Sequence, residues 1–142
     1  MSSSKVPLEH QEAVALVAKM TELGIGPKDF AHIPNEGMRS PKAGRDLKEE
    51  GLQRGISDYL IFKKIPDRPD VRGVALELKR RNAPKDENGE VKISESGGLK
   101  PDQAEWLDAF RYRHGWLANC CAGAKEAYEW LLEIGYEEQD QE

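Results

Sequence analysis

The run Val74-Ala75-Leu76-Glu77-Leu78-Lys79 carries two ionisable residues inside the most strand-like stretch of the chain. Side chains alternate faces along an extended strand, so Val74, Leu76 and Leu78 point one way and Ala75, Glu77 and Lys79 the other. An acid beside a base is costly to bury unless the two pair or coordinate a metal. Alone, a Glu-x-Lys is more simply an exposed pair on an edge strand, because the tripeptide is common in charged chains. Asp58 adds weight. It stands where the turn Gly55-Ile56-Ser57 enters a second apolar run, so neighbouring strands can bring both carboxylates together.

Two acids and a lysine suit phosphodiester hydrolysis. The carboxylates hold magnesium or manganese, the metal neutralises phosphate and lowers the pKa of a bound water, and Lys79 orients that water and offsets transition-state charge. Gln103 fits the same set. It shares a helix face with Leu107 and Phe110, which puts an amide on an apolar stripe, where it needs a partner such as a metal-bound water or a phosphate. Capping of its own helix explains it equally well. Cys120 and Cys121 are adjacent, giving neither an unstrained disulfide nor a zinc framework, and His10, His32 and His114 lack a paired ligand spacing. A metal, if held, is held by carboxylates.

The net charge of −5 argues against a nucleic-acid partner only as an average. Gly37 to Asn82 holds twelve basic residues against seven acidic, whereas Lys125 to Glu142 holds one against seven. The middle of the chain suits a phosphate backbone and the acidic tail suits solvation.

These residues need elements to position them. The 142 residues suffice for one domain, 1–142, with 1–6 and 137–142 expected to be loose. Leu8 to Leu23 reads as an amphipathic helix with Ala13, Leu16, Val17, Met20 and Leu23 inward and Glu9 and Glu12 on its polar face. Phe30 to Ile33 reads as a short strand before the turn Pro34-Asn35-Glu36-Gly37, and Lys42 to Glu50 as a short helix stopped by Gly51. Asp58 to Phe62 and Val74 to Lys79 are strands joined as a hairpin, and Asn82 to Gly98 is a mobile loop or extended hairpin arm. Pro101 opens a helix with Trp106, Leu107, Phe110 and His114 on one stripe. Trp116 to Cys121 is a strand, and Ala124 to Ile134 a last helix with Ala127, Tyr128, Leu131 and Leu132 inward. The order predicts an α/β sandwich around a mixed sheet.

At this point the chain resembles the VRR-NUC nucleases of the PD-(D/E)XK superfamily, in particular small stand-alone members associated with bacteriophages. The matching pieces, in order, are Pro7-Leu8-Glu9, His32-Ile33-Pro34-Asn35, the run Gly51 to Asp58, Ala75 to Arg81, Gly97 to Gln103, and Cys121-Ala122-Gly123. The resemblance implies a restriction-endonuclease-like mixed β-sheet flanked by helices on both faces. It implies Asp58 and Glu77 as ligands of Mg2+ or Mn2+, the Leu78 backbone carbonyl completing the inner shell, Lys79 as the active-site lysine, and Gln103 as the family glutamine. Glu9 resembles the first-helix glutamate that approaches the metal from the side, with Glu12 as the alternative. Three positions depart from the family pattern. Ile56-Ser57 stands where valine-proline is usual, Lys100 replaces the N-capping serine before Pro101, and Ala13 stands where many relatives have glutamine. Loss of that cap costs about 1 kcal/mol, while Lys100 adds positive charge near the site.

The activity so implied is metal-dependent DNA endonuclease cleavage of branched DNA such as four-way junctions, by a homodimer. Trp106, Tyr112, Trp116 and Trp130 are more aromatic surface than one small core must hide. Arg39, Lys42, Arg45, Lys48, Arg54, Arg80, Arg81 and Lys100 are the candidate phosphate contacts. A catalytically silent binding module of the same fold, or a small metal-dependent hydrolase of a non-nucleic substrate, would use the same residues. No apolar run reaches the ~20 residues of a membrane span, and no leader-like h-region precedes the domain, so cytoplasm is the expected compartment.

Overall fold

The central hairpin forms because its two apolar runs are separated by a proline-containing polar linker, and everything else is built onto it. In the computed structural model, which describes residues 5–34 and 40–140, the elements are α1 (Glu9–Glu22), β1 (Phe30–His32), α2 (Pro41–Glu49), β2 (Tyr59–Ile61), β3 (Val74–Lys79), α3 (Pro101–Arg113), β4 (Leu117–Ala122) and α4 (Ala124–Ile134). Strand order is β1-β2-β3-β4, with β1, β2 and β3 antiparallel in sequence and β4 parallel to β3. A parallel neighbour needs a crossover, and α3 supplies it. The result is the expected α/β mixed sheet with helices on both faces.

Central β3 is buried on both sides, which explains its composition. Val74, Leu76 and Leu78 pack with Leu16 and Met20 of α1 and with Ala127 and Leu131 of α4. On the opposite face Ala75, with Ala118, Cys120 and Ala122 of β4, leaves room for Leu107 and Phe110 of α3. The short side chains of that second face let α3 lie close to the sheet. The predicted alternation of β3 therefore holds, and Glu77 lies on the α3 side, opposite Cys120 in the register. It does so inside a second core and not on an open face.

Several inward assignments differ in detail. Leu132 and Val17 are exposed, His114 caps the C-terminus of α3 in solvent, and Glu12, expected on the polar face of α1, is buried. Of the four aromatics set apart as surplus, Trp106 and Trp116 pack on Phe110 at ring separations of 5.6 and 5.0 Å, and Trp130 packs on the main core. Tyr112 alone of these is strongly exposed. Asn82 to Gly98 is a short arm closed by the bridges Lys85–Val91 and Ile93–Leu99, with Val91 and Leu99 buried in the second core. Those two anchors hold it to the domain. The chain near its ends also makes specific contacts: Arg80 donates to the Val6 and Pro7 carbonyls, and the Gln139 N–H donates to the Glu22 carbonyl. Asn35, Glu36, Gly37 and Arg39 lie outside the described residues.

Candidate active site

Asp58 is the residue before β2. Its carbonyl accepts from the Ile33 N–H at 2.7 Å, while its Oδ2 accepts from the Leu78 N–H at 2.7 Å. Tyr59, opposite Leu76, is the last β2 residue paired with β3, so two residues further on a side-chain oxygen replaces the ladder carbonyl. A strand residue's N–H and C=O leave the same edge, so the Leu78 carbonyl is on the side where Asp58 stands.

Glu77 reaches the same place from β3, and its carboxyl and that of Asp58 are close enough for each to perturb the other. Glu77 is 2% exposed. Its Oε2 is 3.8 Å from Lys79 Nζ, and its Oε1 is buried with no partner. Burial first, and the neighbouring Asp58 carboxylate second, push Glu77 up to about 9. Burial also raises Asp58, against the opposing pull of the Leu78 N–H. Two carboxyls this close favour holding a proton between them.

Lys79 Nζ donates to Gln103 Oε1 at 2.9 Å, and the same oxygen accepts from the Lys100 N–H at 2.9 Å. The two readings of Gln103 are thus one geometry: a single amide oxygen both satisfies the first turn of α3 and holds the lysine over the carboxylates. It also recovers part of what the missing serine cap forfeits. The turn bearing Asp58 is clamped to the same helix. Gly55 has φ +85°, and a Cβ there would sit 2.8 Å from Asp102, so only glycine permits the approach. Trp106 Nε1 donates to the Arg54 carbonyl at 3.0 Å, tying the turn down from the other side.

The two first-helix glutamates separate cleanly. Glu9 borders both hollows described below, and its carboxyl is raised by burial and by Asp58. Glu12 faces away from the pair, 1% exposed. Oε2 accepts from Arg81 Nε at 2.8 Å and from the Arg81 N–H at 3.2 Å. Oε1 accepts from the Ala124 N–H at 3.0 Å and from Arg81 Nη2 at 3.3 Å. The Arg81 guanidinium holds it below the usual carboxylate range. Gly123 completes the clip, since at φ +94° a Cβ would meet Arg81 Cβ at 2.9 Å.

A cleft of about 360 Å3 opens above Glu77, Lys79 and Gln103, walled by Arg80, Lys100 and the arm residues Glu95 to Gly98. A second hollow of about 250 Å3 lies against Asp58. Lys42, Arg45, Lys48 and Arg54 are exposed. Among the described residues α2 packs on no other element and buries none of its residues, so its cations stand in solvent. Arg81 is committed to Glu12 and Arg80 to the N-terminal segment, though Arg80 also borders the cleft. Among the described residues, no three His, Cys, Asp or Glu side chains are grouped to hold a metal. The donor set present is two carboxylates, the unpartnered Glu77 oxygen among them, with the Leu78 carbonyl on the adjoining strand edge. Oxygen donors of this kind suit a hard divalent cation.

No protein-family model matches the chain, and no curated protein matches it. A solved structure described as "VRR_NUC domain protein" superposes with a TM-score of 0.59, covering 90% of this chain and 88% of that one. The two chains share a fold. At 16% identity the likeness is one of fold. Within this fold, sequence reasoning missed the burial of Glu12, the place of His32 beside Asp58, and the arm as a cleft wall. The partners of Glu12, Arg81 and Ala124, lie far from it in the sequence, so no spacing pointed to the contact. His32 and the end of the arm, Gly97-Gly98, enter only as parts of matching motifs, with no role attached.

Proposed function

We infer that the chain is a divalent-metal-dependent DNA endonuclease acting on branched DNA as a homodimer. The observation that carries the chemistry is the meeting of Asp58, which lines one hollow, and Glu77, which lines the main cleft beside Lys79 and keeps a buried, unpartnered oxygen. Asp58, Glu77 and the Leu78 carbonyl would hold Mg2+ or Mn2+, which supplies phosphate neutralisation and a water of lowered pKa. Gln103 fixes Lys79 so that its ammonium lies along the cleft wall, where it orients a water and offsets charge growing on the phosphate. Glu9 borders the same space and would hold a water at the side of the pair. Lys100 and Arg80 line the cleft, and Arg54, Arg45, Lys42 and Lys48 extend the cationic surface along the turn and α2. Phosphate contacts of this type position a strand without reading its sequence. The preference for branches and the two-fold assembly rest on the resemblance of motifs.

The test is incubation of the purified protein with end-labelled four-way junction and linear duplex, with Mg2+, Mn2+ or EDTA. Metal-dependent nicks that favour the junction support the reading, with Glu77→Gln inactive as the control. Retention without nicks in every metal would replace the enzyme by a binding module.

A further inference from the structure

The second hollow lies beyond Asp58 as seen from the main cleft. It is bounded by Glu9, His10, His32, Pro34, Asp58 and Tyr59. Glu9 borders both spaces, while Glu77 and Lys79 line the first and Asp58 the second. The carboxylate pair is thus a sill between two hollows. A phosphodiester is bonded to a nucleoside on each side, so a strand that rests its phosphate on this sill must lead away in two directions. One direction is the main cleft. The hydrolysis above leaves the other hollow without a role.

His32 furnishes that hollow with a fixed aromatic face. Its Nδ1 is 3.1 Å from the Asp58 carbonyl, and its ring lies 4.7 Å from that of Tyr59, tilted by 31°. Tyr59 is itself buried and packs against Phe30 at 6.0 Å. The imidazole is therefore pinned at one nitrogen and on one face, while the residue remains exposed toward the hollow. An exposed aromatic held rigid beside a phosphate site is what a nucleobase stacks on, and such stacking tolerates any base.

We propose that the second hollow is a nucleotide subsite in which the base on one side of the scissile phosphate stacks on His32. The proposal rests on the nuclease reading above. Steady-state cleavage of a labelled junction is measured in Mn2+ for the wild type, His32→Ala and His32→Phe, with thermal melting of each. The junction is also made with the base removed on one or the other side of the mapped cut. His32→Ala raises KM about tenfold with kcat little changed, the size expected for one stacked base. His32→Phe stays near wild type because it keeps the ring. The effect of His32→Ala disappears on one of the two abasic junctions and persists on the other. An active wild type with His32→Ala indistinguishable from it, or equally impaired on both abasic junctions, overturns the subsite while leaving the nuclease in place. A wild type that cuts no DNA overturns the reading beneath both.

Discussion

Glu12 on α1 and Glu77 on β3 are buried to the same degree, yet their surroundings differ in kind. Glu12 receives four N–H donors, two from the Arg81 guanidinium and two from the backbone, and both its oxygens are satisfied. Glu77 has another carboxyl as its neighbour, a lysine at 3.8 Å and one oxygen with no partner. The first arrangement lowers the carboxyl's affinity for protons and the second raises it. Burial by itself therefore does not mark a chemical site. An acid whose hydrogen bonds are complete ties elements together, here α1, the end of β3 and the start of α4, whereas an acid left incomplete is available to a ligand.

The largest expected effect tests that contrast at Glu77. Glu77→Gln is expected to reduce metal-dependent cleavage at least about a thousandfold while preserving the fold, as judged by circular dichroism and gel mobility shift of a junction. The sign of its pH dependence follows from the raised pKa. A folded carboxyl that binds its proton more tightly than the unfolded one contributes stability at low pH and loses it as pH rises. Metal-free wild type is then expected to melt at progressively lower temperature from about pH 5 to about pH 9, a trend that is weaker in Glu77→Gln, where only Asp58 and Glu9 remain raised, and that added Mg2+ offsets. Equal trends in the two proteins would erase the distinction between the glutamates.

Glu12→Ala strands buried N–H groups of Ala124 and Arg81, and is expected to cost about 2–4 kcal/mol in urea unfolding at neutral pH. Its sign is opposite. The lowered carboxyl stabilises the fold above its ordinary range near 4.5 and loses that contribution in acid, so the gap between wild type and variant narrows as pH falls. A variant as stable as wild type at neutral pH would show the clip to be dispensable.

Gln103 stands between the two cases, since one oxygen serves both a helix end and Lys79. Gln103→Ala is expected to lower cleavage about tenfold and stability by about 1 kcal/mol, so that kinetics and denaturation both respond. The smallest effect belongs to the exposed cations. Arg45→Glu is expected to weaken junction binding a few-fold and flatten its salt dependence by about one phosphate, with melting temperature and kcat unchanged. A change in kcat would move α2 into the chemistry.

Much of the fold was legible because its signals are local. The alternation in Val74 to Lys79, the Gly55 to Ser57 turn, Pro101 at a helix start and the Gln103, Leu107 and Phe110 face each depend on residues within two turns or one strand, and each element formed within a residue or two of its expected bounds. Leu132 and Val17 were misplaced because an apolar stripe shows that one helix side is buried without giving its width. The arm from Asn82 to Gly98 looked loose because its composition is polar. What anchors it is two apolar residues, Val91 and Leu99, that reach a core built by α3 and β4.

The sequence by itself determined the secondary elements, the face of β3 on which Glu77 and Lys79 lie, and a set of residue types suited to a hard cation and a phosphate. Only the tertiary structure decided between Glu9 and Glu12. Residues three apart lie on the same side of a helix, and the angle at which α1 crosses β3 and α4 sends one to the carboxylate pair and the other to Arg81 and Ala124. That angle is set by the packing of Leu16 and Met20 against residues more than fifty positions away in the chain, such as Leu78 and Leu131, and no spacing within the helix encodes it.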